Sequence, residues 1–311
     1  MTLLTFFNCG CGKDDTSSTY FPTTTVTTGD TQQAPGALSG SFSVSGTRKV
    51  LFSMGNLQYS ASGSHSVADN RTLPGTWRFA EHQYDYVGQA NTMISSSYMG
   101  WIDLFGFGTS GWNSGAYAYQ PYDASWEDYD YCSANLAGNY ENADWGIYNA
   151  ISNGGDLPGR WRTLTKDEWD YLLYRRTNAT NKVGHATVNG MQGIVILPDD
   201  WRLPSSCTFT PDNYDYSYYY GEYRGFYYTN TYSVTQWDDM ESRGAVFLPA
   251  AGQREGSDVR NVGQYGYYWT ATGYSSDIAY DLYFNDVRTT GSSYRCIGLS
   301  VRLVKDVTGA K

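Results

Sequence analysis

The C-terminal third of the chain places apolar side chains at every second position, in 278–284 and again in 297–303. A period of two is typical of β-strands that bury one face and present the other. Shorter apolar or aromatic runs occupy 50–54, 245–251 and 266–272, and loops rich in Gly, Ser, Asn and Asp separate the runs. The pattern therefore predicts a protein built mainly from antiparallel strands joined by long irregular loops.

Two capping boxes mark the few helices. Thr165 stands three residues before Glu168, and Ser233 stands three residues before Gln236. In each pair the Thr or Ser hydroxyl can accept a hydrogen bond from a backbone N–H of the first turn. The Glu or Gln side chain can in turn accept one from the backbone N–H of the Thr or Ser. Apolar residues follow each box at helical spacing. The predicted helices span 165–175 and 234–242, which makes the predicted fold class α+β.

The overall composition excludes several classes of protein. Lys and Arg number 21 against 31 Asp and Glu, which gives a formal net charge of −10. Such a chain lacks the clustered cations that bind phosphates, so no nucleic acid is expected as a partner. The sequence has no apolar run of about 18 residues, so we expect no membrane-spanning helix. Aromatic residues make up 17% of the chain, which is far from the composition of disordered proteins.

Residues with reactive side chains form no familiar catalytic or metal-binding pattern. The five cysteines show no C-x-x-C spacing and do not pair with the three histidines, so we expect no metal site and no cofactor. The sequence leaves open whether two of the three cysteines Cys132, Cys207 and Cys296 form a disulfide. The Asp-Asp pairs at 199–200 and 238–239 are interpreted as turn and helix-surface residues, because adjacent side chains point to different sides. No G-x-S-x-G motif occurs, and we expect no enzymatic activity.

The first 38 residues have the composition of an export signal followed by a tether. Residues 1–11 form a short apolar run ending at Cys11, and Lys-Asp-Asp follows at 13–15. This arrangement resembles a truncated bacterial lipoprotein signal with Cys11 as the lipidation site, Cys9 as its rival, and the acidic export signal of Bacteroidota-type surface lipoproteins. Residues 12–38 are predicted to be a disordered tether. An outer-membrane lipoprotein on the cell surface is expected, with a cytosolic protein as the alternative.

The central domain carries a resemblance to a known fold group. Residues 159–169 read Gly-Arg-Trp-Arg-Thr-Leu-Thr-Lys-Asp-Glu-Trp, which is similar to the Trp-Arg-Leu-Pro-Thr-x-x-Glu-Trp stretch of formylglycine-generating-enzyme-like domains. Those domains belong to the broad C-type lectin fold group, whose last strand resembles 298–304. An abundant set of gut-bacterial surface lipoproteins, some of them targets of diversity-generating retroelements, is similar at Tyr59, 77–80, 101–106 and 244–252. The resemblance implies a C-type-lectin-like ligand-binding domain over 39–306, with a tail at 307–311.

The resemblance implies binding rather than catalysis. Formylglycine-generating enzymes use paired cysteines near the C-terminal part of the domain, whereas this chain offers only Cys296 there. The expected partner is a protein or glycan on another cell, a host surface or a phage. Three alternatives stay open: a structural pilus-tip or surface-assembly subunit, a degenerate formylglycine-type oxidase, and Ca²⁺-dependent carbohydrate recognition.

Two segments form the predicted binding surface. Residues 212–232 contain nine tyrosines, and tyrosine among small polar residues is typical of binding surfaces. Residues 273–304 lack Lys, Glu, Gln, Trp and Met, the five types that adenine-specific mutagenesis of AAC-type codons cannot produce. The alternatives are a tyrosine loop packed on the protein's own body and an ordinary polar sheet face.

The alternation in 278–284 assigns even positions to the core and odd positions to the outside, with flanking loops extending the outer face. The predicted ligand-binding residues are Tyr218, Tyr220, Tyr223, Tyr274, Ser275, Ser276, Asp277, Ala279, Asp281, Tyr283, Asn285, Asp286, Thr289, Thr290, Ser292, Ser293 and Tyr294.

Overall fold

Strands dominate the computed structural model, which describes residues 34–113, 118–119, 135–215 and 222–307. The strands of the described residues are, in chain order, Ala37–Ser43 (β1), Lys49–Ser53 (β2), Leu57–Ser66 (β3), Thr72–Phe79 (β4), Trp101–Ile102 (β5), Arg162–Thr163 (β6), Val183–Val188 (β7), Met191–Ile196 (β8), Asn213–Asp215 (β9), Glu222–Arg224 (β10), Thr231–Tyr232 (β11), Val246–Pro249 (β12), Gln253–Glu255 (β13), Asp258–Arg260 (β14), Gly266–Gly273 (β15), Ile278–Phe284 (β16), Val287–Tyr294 (β17) and Leu303–Asp306 (β18).

The helices of the described residues are few and short. They are Trp145–Tyr148 (α1), Lys166–Asp170 (α2) and Val234–Ser242 (α3), with a π-helical turn at Tyr171–Arg175 and 3-10 turns at Gly88–Thr92, Gly138–Ala143 and Ala179–Asn181. This composition confirms the predicted α+β class. No helix in the described ranges combines the length and the apolar character needed to cross a bilayer.

The strands form five sheets in which nearly all neighbours are antiparallel. A four-stranded sheet has the order β1-β2-β18-β6, and a second has the order β11-β7-β8-β12 with β11 parallel to β7. The five-stranded sheet has the order β15-β16-β17-β10-β9. The smaller sheets are β4-β3-β5 and the hairpin β13-β14. Antiparallel neighbours of this kind need no helical crossovers, which fits the small helical content.

Two apolar cores lie between these sheets. The first joins both four-stranded sheets and the helices α2 and α3, with Phe52, Trp169 and Trp237 fully buried in it. The second surrounds the β4-β3-β5 sheet and contains Trp77 and Trp269. Burial of such large aromatic side chains is the dominant favourable contribution to folding.

Both predicted capping boxes are confirmed. The Thr165 hydroxyl accepts a hydrogen bond from the Glu168 N–H at 3.2 Å, and the Glu168 carboxylate accepts one from the Thr165 N–H at 2.9 Å. Ser233 and Gln236 repeat the arrangement at 3.3 and 3.1 Å. The helix α3 has the predicted bounds, while α2 and the π-helical turn after it together cover the other prediction.

The alternation at 297–303 does not form the predicted regular strand. Leu299 and Ser300 form isolated bridges with Phe105 and Tyr268, and the regular strand β18 begins only at Leu303. Ser300 and Arg302 were assigned to a presented face, yet both are buried. The prediction was wrong there because the protein covers this segment on both sides, so its polar residues point into the interior.

The folded region begins slightly before the predicted boundary. Strand β1 starts at Ala37, and both Ala37 and Leu38 are buried, although the tether was predicted to extend through residue 38. Apolar contacts rather than composition set this boundary. The last strand ends at Asp306, where the sequence placed the end of the domain.

Candidate functional site

The five-stranded sheet carries most of the predicted binding residues. Strand β16 lies between β15 and β17, and Tyr283 stands opposite Tyr267 on one neighbour and Thr289 on the other. Directly opposed side chains of an antiparallel pair are close enough to interact. Tyr267, Tyr283 and Thr289 therefore share one face of the sheet, which we call the tyrosine face.

The tyrosine face changes from buried to exposed along β16. Ala279 is 0% exposed and packs in the second core, Asp281 is 1% exposed, and Tyr283 is half-buried. The prediction that Ala279 and Asp281 point outward was wrong. The reason is that the second core covers this end of the sheet, with Trp269 and Ala271 of β15 beside them.

The other face of β16 packs against the first core and α2. Leu282 and Phe284 are fully buried as predicted, whereas Ile278 and Tyr280 are only half-buried. The ammonium of Lys166 lies 5.4 Å from the centre of the Tyr280 ring. Both faces of the middle of the strand are thus occupied by the protein itself.

Residues 289–294 belong to strand β17, so the prediction that they lie in loops was wrong. Pleating sends Thr289 and Ser293 to the tyrosine face and sends Thr290, Ser292 and Tyr294 to the α2 face. The Thr290 hydroxyl donates to the Asp170 carboxylate at 3.0 Å. The predicted residues of this segment therefore divide between two surfaces instead of forming one.

A second exposed group lies in the turn between β15 and β16. Tyr274 and Ser276 are exposed, and Tyr274 makes an edge-to-face contact with Tyr280 at 5.2 Å. The Ser275 hydroxyl donates to the Asp277 carboxylate at 2.6 Å, and this bond lowers the pKa of Asp277. The turn is thus ordered by its own side chains.

The buried guanidinium of Arg295 holds this turn from below. Its Nη2 donates to the Ser275 carbonyl at 2.7 Å, and its Nε donates to the Ser275 and Ile278 carbonyls at 3.1 and 3.2 Å. The same guanidinium lies 4.6 Å from the centre of the Phe107 ring. One side chain therefore satisfies carbonyls that would otherwise face the interior.

We expect Arg295→Ala to loosen the 274–278 turn. Loss of these charge-assisted bonds should speed backbone amide exchange in the turn by at least about tenfold, since each such bond contributes roughly 1.5–3 kcal/mol. Hydrogen-exchange mass spectrometry measures the effect. Arg260→Ala, which removes exposed ion pairs with Glu255 and Asp258, is the matched control. Unchanged exchange in the turn would contradict the assignment.

The exposed end of the tyrosine face is surrounded by aromatic rings. Tyr265, Tyr267 and Tyr283 form a triangle with ring centres 5.2 to 6.2 Å apart. Tyr227 lies beside them, and its hydroxyl donates to the Gln264 carbonyl at 2.7 Å. These four half-buried tyrosines are called the tyrosine patch below.

Two exposed rings extend the patch along the chain. Phe226 and Tyr228 stack at 5.3 Å with an angle of 13°, and Tyr228 is 75% exposed. Asn285 and Asp286 form the β16–β17 turn, where Asp286 pairs with Arg224 at 3.3 Å. Tyr218, Tyr220 and Cys11 lie outside the described residues, and Tyr223 is described only as backbone in β10.

Burial and neighbouring groups keep the hydroxyls of Tyr267 and Tyr283 protonated. Desolvation raises the pKa of Tyr267 and of Tyr283 to about 12, and the nearby Asp281 and the other tyrosines add to the effect. Burial also raises the pKa of Asp281 to about 6, although the Ser293 hydroxyl bonds its Oδ2 at 2.5 Å. Tyr267 and Tyr283 therefore present neutral phenols that can donate and accept hydrogen bonds.

A buried ion pair supports the strands under the tyrosine-rich loop. Asp212 accepts hydrogen bonds from the His185 ring at 2.9 Å and from the Arg288 guanidinium at 2.9 Å. All three side chains are almost completely shielded from solvent. A Cβ on Gly225 would collide with the Asp212 carboxylate, so the backbone just after β10 can close over the pair only at a glycine.

Sequence reasoning missed Tyr265 and Tyr267 as site residues. They were seen only as members of an aromatic strand, and their two-residue spacing was the one signal that they share a face. Asp212, His185 and Arg288 were missed as well, because their contacts join distant segments.

Other reactive groups are also placed within the described ranges. No group of His, Cys, Asp and Glu there could hold a metal ion. Cys207 and Cys296 are both buried, and Cys132 lies outside the described residues. Asp199 accepts a hydrogen bond from Ser43 at 2.7 Å and pairs with Lys49 and Arg176. Asp199 therefore links β1 and β2 to the segment after β8.

No protein family, curated protein or solved structure matches this chain.

Proposed function

We propose that this chain is a surface-displayed ligand-binding protein with a C-type-lectin-like fold, which contacts a protein or glycan partner through the tyrosine patch. The observation that carries the proposal is the patch itself, in which the rings of Tyr265, Tyr267 and Tyr283 contact one another, the Tyr227 hydroxyl is fixed on the Gln264 carbonyl, and all four residues stay partly exposed. The sequence resemblance adds the lectin-like fold, a lipid anchor at Cys11 and variation of the exposed residues in 274–294.

The patch has the physical properties of a prepared binding surface. Tyrosine offers a large contact area with only two rotatable side-chain bonds, so little conformational entropy is lost on binding. Mutual ring contacts and the anchored hydroxyl of Tyr227 reduce that loss further. The stacked Phe226 and Tyr228 rings expose apolar area that a partner would cover, in keeping with the role of aromatic side chains as energetic centres of interfaces.

The test compares the wild-type protein with Tyr228→Ala/Tyr283→Ala on arrays of glycans, extracellular protein domains and phage particles. We expect a partner that binds the wild type to bind the double variant about 100-fold more weakly, because two central aromatic residues each contribute about 1.4 kcal/mol or more. Tyr86→Ala is the control, since Tyr86 is 43% exposed and lies outside the patch. Thermal melting of each variant verifies folding.

The outcomes separate the alternatives. Equal affinity of the wild type and the double variant for the identified partner would refute the patch as the binding surface. Self-association of the wild type in sedimentation velocity, lost in the double variant, would instead identify another copy of this chain as the partner and favour an assembly subunit.

A further inference from the structure

A buried carboxylate lies next to the tyrosine patch. Asp281 comes two residues before Tyr283 on β16, so the two side chains project from the same face of the sheet. Asp281 is 1% exposed, and its Oδ2 accepts a hydrogen bond from the Ser293 hydroxyl at 2.5 Å. Its Oδ1 has no hydrogen-bond partner among the described residues. Because a buried oxygen without a partner is rare in native proteins, this atom needs an explanation.

The unpartnered oxygen lies beside a glycine of the neighbouring strand. Gly291 stands opposite Asp281 on β17, and a Cβ at Gly291 would lie 2.8 Å from the Asp281 Oδ1. Pleating places this position on the tyrosine face, between Thr289 and Ser293. The carboxylate oxygen therefore occupies the space that a side chain of β17 would otherwise take, on the face that carries the tyrosine rings.

Three rings of the patch are inclined to one another. The angle is 85° between Tyr265 and Tyr267, 62° between Tyr265 and Tyr283, and 45° between Tyr267 and Tyr283. Inclined rings present their faces in different directions, unlike the rings of a stack. A cation is attracted to a ring face within about 6 Å of the ring centre, and the ring centres here lie 5.2 to 6.2 Å apart. One cation can therefore interact with more than one of these rings.

The electrostatic environment of the rings is negative. Besides desolvation, the charge of Asp281 raises the pKa of Tyr267, and Asp286 and Asp281 both contribute to the raised pKa of Tyr283. A field that disfavours a phenolate favours a cation at the same place. Asp286 is paired with Arg224 at 3.3 Å, whereas no positive group of the described residues lowers the pKa of Asp281. Asp281 therefore supplies a negative charge that the surrounding protein does not balance.

We propose that the tyrosine patch binds a cationic side chain, lysine or arginine, of a protein partner. The ammonium or guanidinium group contacts the inclined rings, with the negative charge of Asp281 beneath them. A neutral glycan has no such group, so the inference selects a protein from the two partner classes. It rests on the proposed function, because it names the ligand chemistry of the same surface.

The test uses short glycine peptides that carry one central lysine, arginine or norleucine. Norleucine matches the aliphatic stem of lysine and lacks the charge. The full chain, labelled with ¹³C in its tyrosine rings, is titrated with each peptide and followed by NMR. We expect the lysine and arginine peptides to bind at least about tenfold more tightly than the norleucine peptide, and to shift the Tyr283 and Tyr267 ring signals.

Matched variants separate the local charge from the net charge of −10 that the whole chain carries. Asp281→Asn keeps the shape of the side chain and should weaken lysine-peptide binding about fivefold, with norleucine-peptide binding unchanged. Asp156→Asn removes an exposed carboxylate outside the patch, at a left-handed position that asparagine accepts, and should leave both affinities unchanged. Tyr283→Phe keeps the ring and should stay within about twofold of the wild type.

Equal affinity of the wild type for the lysine and norleucine peptides would overturn the inference, and so would the same loss of lysine-peptide affinity in Asp281→Asn and Asp156→Asn. A partner whose binding depends on Tyr228 and Tyr283 but not on Asp281 would overturn the cation site and leave the proposed function standing. Lysine-peptide binding that depends on Asp281, without any array partner that depends on the patch, would support the cation site and count against the proposed function.

Discussion

Replacing Asp212 with alanine should lower the free energy of unfolding by about 3–5 kcal/mol, as expected when one partner of a buried ion pair is removed. The Asp212 carboxylate lies between the His185 ring and the Arg288 guanidinium, and it also accepts from the His185 backbone N–H at 2.9 Å. Burial alone would raise its pKa, but the His185 hydrogen bond and the charge of Arg288 hold the pKa below its usual value. The charged carboxylate is therefore an integral part of the core.

Urea denaturation followed by tryptophan fluorescence measures the effect. Asp286→Ala is the matched control, since Asp286 pairs with Arg224 at the surface, where an ion pair contributes about 1 kcal/mol or less. Similar small losses in both variants would show that the buried pair does not support the fold. A large loss confined to Asp212→Ala would confirm that it does.

The protein should be several kcal/mol more stable near pH 5 than near pH 7.5, as an order of magnitude. Burial raises the pKa of Asp103, Asp144 and Asp281 to about 6. Unfolded aspartates titrate near about 3.9, so between these values the folded state binds more protons than the unfolded state. The free energy of unfolding must then fall as the pH rises through about 6.

Other carboxyl groups set the acidic limit of this stability. Burial raises the pKa of Asp199, but hydrogen bonds from Ser43 and Lys49 lower it further, so that the pKa is about 2. The pKa of Asp212 is also lowered. Their contribution is present above the unfolded value and is lost only as the pH falls well below about 4. The stability maximum should therefore lie in weak acid.

Urea midpoints at the two pH values check this expectation. Asp281→Asn removes one of the three raised groups and should reduce the pH dependence by about a third. Asp277→Asn, at an exposed turn whose aspartate has a lowered pKa, should keep it. A pH dependence of the same size in Asp281→Asn would contradict the role given to that carboxyl.

Local sequence signals predicted the helices well. The Thr165 and Ser233 capping boxes depend on residues only three positions apart, and both form as expected. The apolar run at 50–54 also contains buried Val50 and Phe52, although Met54 of the same alternating set is only half-buried and Ser53, between them, is buried as well. A capping box depends only on residues within one helical turn, so it can be predicted from the sequence without knowing the tertiary structure.

The wrong predictions concern side chains whose burial depends on segments far away in the sequence. Nothing in 278–284 reveals that Trp269 and the second core cover Ala279 and Asp281. The residues around Arg302 look like an exposed strand face until their burial by remote segments is known.

The change from buried to exposed along β16 limits where this strand can accept new side chains. Tyr283 and its neighbour Thr289 sit where altered side chains would meet solvent, whereas Ala279 and Asp281 fill space inside the molecule. Sequence variation would therefore be permissive at one end of the strand and deleterious only a few ångströms away. Side chains could be replaced at that outer end without rebuilding the scaffold.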